Sequence, residues 1–261
     1  MSAPTSAPTS AGASRIYVIG ASRGIGAAIA QRLGQAGYDL TLTSRQPNGP
    51  VREILAKIRQ SGAGADHRIC RLDVNDRDLL EQMADTIQAD ENLYGLIYVA
   101  GQSYDMLAGA VDYDIAAKLM TTNFMGFQRL STAALRPMIG AKRGRIVAIG
   151  SVTATYGTAG NAVYAATKGA MLGYTRTMAV EVARKGVTVN YVAPGFVDTA
   201  LLDPYRAYLD RLIEKIPAAR LARPEEVAGL VAYLVSAEAA YVTGSVLTID
   251  GGLSANLVSR R

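Results

Sequence analysis

The sequence predicts an α/β fold: one domain built on a doubly wound parallel sheet of about seven strands, with helices on both faces and a small helical lid. Three observations carry this. Short apolar and β-branched runs alternate with amphipathic helical segments, the pattern of repeated strand–helix–strand units. A glycine-rich turn joins the first strand to the first helix. The loops richest in chemistry follow strands, at the carboxyl ends where open α/β sheets bind ligands.

A chain of 261 residues can bury a substantial core, and no Pro/Gly/Ser-rich linker divides its interior. Met1 to Ser14 carries no charge and consists almost wholly of Ser, Ala, Pro, Thr and Gly, so it is expected to be disordered. It has neither the basic start nor the apolar middle of a signal peptide. Because 18 apolar residues never run together, a soluble cytoplasmic protein is expected, with no membrane or nucleic-acid partner. The single cysteine, Cys70, precludes an internal disulfide, and the only histidine, His67, argues against both a Ser-His-Asp triad and a metal site. Both read as strand filler. The formal charge of +5 clusters at Lys142-Arg143-Gly144-Arg145 and at Arg184-Lys185, which suits an acidic partner or anionic ligand.

Arg15 to Ile19 reads as a buried strand, and Gly20-Ala-Ser22-Arg23-Gly24-Ile25-Gly26 then opens a helix to about Gln35. Glycines at these places let the backbone turn sharply and approach a pyrophosphate held by free N–H groups at the helix start. The second strand, Asp39 to Thr43, ends in Ser44-Arg45. An acidic residue about here would bind ribose hydroxyls, whereas arginine accommodates a 2′-phosphate, so Arg45 with Arg23 favours NADPH over NADH.

Val51 to Gln60 is an amphipathic helix and His67 to Leu72 a strand, with Asp73-Val74 at its carboxyl end. Asn75 or Asp76 caps the next helix, through about Asp90. The fourth strand, Leu93 to Val99, closes in Ala100-Gly101, a small pair past which a cofactor can run. One long helix is predicted from Asp112 to Arg136, with Asn123 inside it. Asparagine is a poor interior helix residue, so a kink, a bound water or a surface side chain are all open there.

The fifth strand, Arg145 to Gly150, ends at Ser151, and a helix from Tyr164 to Val182 follows. Residues four apart on a helix face the same way, which puts Tyr164 beside Lys168. Of fourteen tyrosines only Tyr164 has a lysine at the fourth position. A free phenol holds its proton to pH ~10, and a neighbouring ammonium would lower that value. Ser151 is placed to hydrogen-bond a substrate oxygen, so the pair forms a carbonyl site with one donor to hold the oxygen and one to protonate it. Val187 to Val192 is the sixth strand, leading into Pro194-Gly195-Phe-Val197-Asp-Thr199. Asp203-Pro204 then starts a short helix through Lys215 in the position of a lid, Pro224 starts another, and Ser245 to Ile249 is the last strand.

From Arg15 to Leu253 the chain resembles the short-chain dehydrogenase/reductase family, whose fold is a Rossmann-type sheet. Its Gly-x-x-x-Gly-x-Gly matches Gly20, Gly24 and Gly26, and the basic residue of NADP-preferring members matches Arg23. The Asp-Val against adenine matches Asp73 and Val74. The catalytic tetrad matches Asn123, Ser151, Tyr164 and Lys168, and the Pro-Gly motif beside the nicotinamide matches Pro194, Gly195, Val197 and Thr199. The resemblance implies that Lys168 also binds the nicotinamide ribose and that Asn123 anchors a proton-supplying water. Two positions depart from the family: Ile19 replaces a threonine and Val99 replaces the asparagine of Asn-Ala-Gly, each exchanging a polar brace for an apolar side chain.

Within the family the sequence is most similar to β-ketoacyl-acyl-carrier-protein reductases, through Val187 to Thr199, Pro217-Ala-Ala-Arg-Leu221 and Ala239-Ala-Tyr-Val-Thr-Gly244. That resemblance implies NADPH-dependent reduction of a 3-oxoacyl thioester in fatty-acid or polyketide synthesis. It also implies an acyl-carrier-protein partner received by Lys142 and Lys185 near the active-site mouth, and a homotetramer. Reductases of free ketones share most of these motifs, and a cofactor-binding scaffold without catalysis is the reading from a different class.

Overall fold

The computed structural model describes residues 14–60 and 66–256. The expected disordered segment, Ser14 apart, lies outside them. Seven strands form one parallel sheet in the order β3-β2-β1-β4-β5-β6-β7. They are β1 Arg15–Ile19, β2 Asp39–Ser44, β3 Arg68–Arg71, β4 Leu93–Tyr98, β5 Gly144–Ile149, β6 Val187–Pro194 and β7 Val246–Ile249. The order reverses between β1 and β4, and the two loops leaving their carboxyl ends part there to open a crevice.

The helices are α1 Gly24–Gln35, α2 Val51–Gln60, α3 Arg77–Gln88, α4 Tyr113–Met120, α5 Gly126–Gly140, α6 Ala162–Val182, α7 Leu209–Ile213 and α8 Pro224–Val235. On one face of the sheet Ile29, Leu33, Ile58 and Val231 of α1, α2 and α8 pack on Ile16 and Leu42. On the other, Ile87, Phe127 and Met171 of α3, α5 and α6 pack on Tyr17, Leu96 and Ile146. Residues alternating along a strand serve opposite layers, which is why β1 and β2 are buried throughout.

The long helix predicted from Asp112 to Arg136 is three pieces. Asp112 caps α4, its carboxylate accepting from Asp114 N at 2.9 Å and Ile115 N at 3.1 Å. A π-helical turn, Thr121–Met125, separates α4 from α5. The helix also runs past Pro137, where the sequence predicts a stop. So near a helix end the proline forfeits one bond without breaking the helix, and Ala141 N donates to Pro137 O at 2.9 Å to finish it. Asp76, and not Asn75, caps α3. Asp203 caps nothing: it lies inside a 3₁₀ segment, Ala200–Tyr208, and accepts from Arg206 Nε at 3.4 Å.

At the amino ends of the strands Arg15, only 3% exposed, meets three carboxylates: Asp66 at 2.9 Å, Asp90 at 3.3 Å and Asp39 at 3.8 Å. Tyr17 donates to Asp90 at 2.8 Å. One guanidinium thus ties together β1, β2 and the turn before β4. Removing it leaves Asp39 buried without its charge partner, so Arg15→Ala is expected to destabilise the fold by roughly 3–5 kcal/mol. A urea midpoint lowered at unchanged slope is the expected readout, and a midpoint equal to wild type contradicts this role.

Candidate active site

The glycine turn forms a cradle. Gly20 and Gly24 take left-handed backbone, with φ of +92° and +53°. A Cβ on Gly20 would stand 2.9 Å from Ala100 N, one on Gly24 2.9 Å from the Thr199 methyl, and one on Gly26 would overlap Gly20 O. The turn is therefore clasped between the loops after β4 and β6. No side chain caps α1 at Arg23, so its first N–H groups face the crevice unoccupied by protein.

The crevice, about 280 Å³, is lined by Gly20, Ser22, Arg23, Gly24 and Ile25 from the turn, Ser44 at the end of β2 and Arg45 after it, Asp73 and Val74, Ala100 and Gly101, and Thr199. Twelve of the predicted cofactor residues thus share one cleft. Gly26 packs the helix on the strand, and Val197 is buried in the apolar layer at 5% exposure, outside the lining. Pro194 ends β6, and Gly195 donates to Ile249 O at 3.0 Å; a Cβ there would press on Asp250. Both steer the backbone and neither lines the cleft.

Ser44 Oγ is engaged in its own turn, accepting from Gln46 N at 3.1 Å and shaping the loop that carries Arg45. Beside Arg45 lies Arg71, unremarked in the sequence reading although strand register sets it against Ser44. A cradle for a pyrophosphate with arginines at the β2 end fits a dinucleotide bearing a 2′-phosphate.

Ile19 and Val99 no longer carry the polar braces of the family, and backbone and threonine take over. Val99 N and Ala100 N both donate to Ile19 O at 2.9 Å, and Gly20 N donates to Thr43 Oγ1 at 3.1 Å.

The tetrad assembles beyond the Gly101 end of the cleft. Lys168, 3% exposed, donates from Nζ to Ile149 O at 2.9 Å and stands 5.6 Å from the centre of the Tyr164 ring. A Cβ on Gly101 would be 3.5 Å from that Nζ and 3.3 Å from Asn123 Oδ1, so this glycine is where the cleft meets the tetrad. Asn123 is fully buried on the π turn, which excludes the surface reading. Its amide donates to Gln102 O and Thr167 Oγ1, both at 2.9 Å, and its Oδ1 accepts from Gln102 N at 2.8 Å.

Burial decides the proton affinities. It draws Lys168 down to about 8. It pushes Tyr164 up to about 12, against a hydrogen bond from Ser151 that lowers it and with the Asp105 charge adding to the rise. The net direction is opposite to the one the sequence predicts. The ammonium spends its bond on a backbone carbonyl, and removing the hydroxyl from water disfavours phenolate more than the serine favours it.

A family model described as Enoyl-(Acyl carrier protein) reductase matches residues 20–254. The 3-oxoacyl-(acyl-carrier-protein) reductase FabG of Aggregatibacter actinomycetemcomitans is 36% identical over 91% of this chain and 98% of its own. A solved structure titled a short chain dehydrogenase/reductase family protein superposes with a TM-score of 0.82 at 32% identity, covering 92% of this chain and 97% of that one. The chain belongs to the short-chain dehydrogenase/reductase family. A putative NAD(P)-dependent gluconate 5-dehydrogenase from Beutenbergia cavernae, with NADP bound at low occupancy, superposes at TM-score 0.87 and 33% identity over 93% and 97% of the two chains.

Lys142 and Lys185 do come together, since Lys142 O lies against the Gly186 backbone and β5 and β6 start side by side. They are not at the mouth of this chain's own cleft, however. They precede the two strands whose far ends carry Ser151 and Pro194, about 20 Å away along a six-residue strand.

Tyr191 is the site residue that the sequence reading missed. Fully buried on β6, it accepts from Ser151 N at 2.9 Å, and its proton faces Ser151 O and Lys168 O, each at 3.3 Å. A Cβ on Gly150 would overlap its ring. A tyrosine in a fully buried parallel strand needs a partner for its hydroxyl, and that was the available signal.

Burying an ammonium costs stability, and for Lys168 the cost is complete below about pH 8, where both states hold the proton. It is relieved between about 8 and the ordinary 10.5, where the unfolded state binds more protons and stability rises with pH. Lys168→Met should therefore melt higher than wild type at pH 7, the gap narrowing as pH rises from 8 to 10. A gap independent of pH over that range contradicts the charged, desolvated lysine.

Proposed function

We propose that the chain is an NADPH-dependent reductase of the C3 ketone of 3-oxoacyl thioesters, the acyl group being presented on a carrier protein. The observation that carries the reading is the grouping of Ser151, Tyr164 and Lys168, with Lys168 standing against Gly101 at the end of a glycine-cradled cleft bearing Arg23 and Arg45. The FabG relative supports the substrate class.

Arg23 and Arg45, with Arg71 beside them, would hold the 2′-phosphate, and the open start of α1 the pyrophosphate. Once bound, the reduced nicotinamide supplies the hydride. Ser151 and Tyr164 hold the ketone oxygen, and Tyr164 donates its proton as negative charge develops there. A phenol held near 12 stays protonated at neutral pH and is still far more acidic than the alcohol being formed. Tyr164 is thus set as the acid of the reductive direction. Lys168, mostly charged at neutrality, stands beside the ring to keep that proton supplied, with Asn123 and Thr167 fixing the surrounding backbone.

Tyr164→Phe should keep NADPH affinity and lose a factor of about 100 or more in kcat. Wild-type turnover in that variant would reject the assignment. A reductase of free ketones or of a specialised metabolite is the second reading, favoured by the gluconate dehydrogenase neighbour and by the distance of Lys142 and Lys185 from the cleft. Charge reversal of both lysines separates the two. Carrier-bound 3-oxoacyl substrate should lose kcat/KM by about tenfold while the free thioester is unaffected, and equal rates on both substrates before and after reversal would favour the free-ketone reading.

A further inference from the structure

Ser151 is held more tightly than a substrate-binding hydroxyl requires. It starts a single 3₁₀ turn, Val152–Ala154, that brings Thr153 back over it. Ser151 Oγ accepts from Thr153 N at 3.2 Å and from Thr153 Oγ1 at 2.9 Å. A hydroxyl has two acceptor lone pairs and one proton. With both lone pairs filled, the serine can act only as a donor.

We propose that Thr153 is a positioning residue for carbonyl reduction: by filling the acceptor sites of Ser151 Oγ it commits the serine proton to the oxygen shared with Tyr164. This rests on the reading of Ser151 as a donor to the substrate carbonyl. The site needs two hydroxyls to donate to one oxygen. A serine with a free lone pair would instead accept the Tyr164 proton and withdraw the acid from its substrate.

Two further features agree. Ser151 Oγ takes both of its hydrogen bonds from one residue, Thr153, two places along the same turn, so one side chain and its own backbone N–H set the direction of the serine proton. The Ser151 backbone is independently pinned by Tyr191, so the turn stays in place and the hydroxyl of Thr153 governs only the direction of the serine proton. A chain of hydroxyls donating in one sense also strengthens its last donor.

The test uses the full chain, NADPH and a short 3-oxoacyl thioester. Thr153→Val keeps the shape and the backbone N–H and removes only the hydroxyl. It should lower kcat about 3- to 10-fold with NADPH affinity, measured by nucleotide fluorescence, and Tm unchanged. Thr153→Ser should restore kcat to within about twofold, and Thr153→Val should cost nothing further in a Ser151→Ala background when single-turnover rates are compared. A wild-type kcat in Thr153→Val, an equal loss in the Ser151→Ala background, or no rescue by serine overturns the proposal. Wild-type turnover by Ser151→Ala overturns instead the carbonyl-site reading beneath it.

Discussion

A buried ammonium with one carbonyl to receive it is the constraint around which this site is arranged. Lys168 enters from α6 and reaches the last carbonyl of β5, so the helix is pinned to the end of one particular strand. That contact places Tyr164 one turn earlier, above the serine that β5 delivers next. It also makes residue 101 a tight position: a Cβ there would press on Asn123 Oδ1 at 3.3 Å and touch the lysine at 3.5 Å, and glycine lets the chain leaving β4 pass between them without a shift. The loop after β4 and helix α6 are thus set by one shared contact.

Desolvation then acts on both members of the Tyr-Lys pair in the direction of their neutral forms. In a dry site the phenol gives up its proton less readily and the ammonium more readily. The two tendencies suit the proposed proton delivery: the phenol stays protonated, and the ammonium beside it is the readier of the two to release a proton. Polar neighbours are spent on holding geometry, Asn123 on Gln102 and Thr167, Tyr191 and Thr153 on the two ends of Ser151. None of these second partners is left idle in a region where an unpaired group would be costly.

Much of the fold was legible from the sequence because its signals are local. β1 and α2 begin and end where apolar runs and periodicity place them, and the glycine turn announces itself by residues that take positive φ without steric cost. The misread stretches are those where tertiary partners override local preference. The predicted helix ends at Arg136 yet α5 runs on through Pro137, Asp203 reads as a cap yet faces Arg206, and Asn123 reads as an ambiguous helix residue yet occupies a buried π turn. Tyr191 looked like one more strand side chain, because nothing in its neighbours reveals that Ser151 will need an acceptor.

By itself the sequence determined the sheet, its parallel sense, the cradle and which side chains could do carbonyl chemistry, since each follows from periodicity or from spacings of a few residues. Only the tertiary structure decided the sign of the Tyr164 shift, the wrapping of Ser151 by Tyr191 and Thr153, and the end of the sheet on which Lys142 and Lys185 lie. Proton affinities and hydrogen-bond direction depend on how much water is excluded and on which atoms from distant segments meet. Those quantities exist only once the chain has packed.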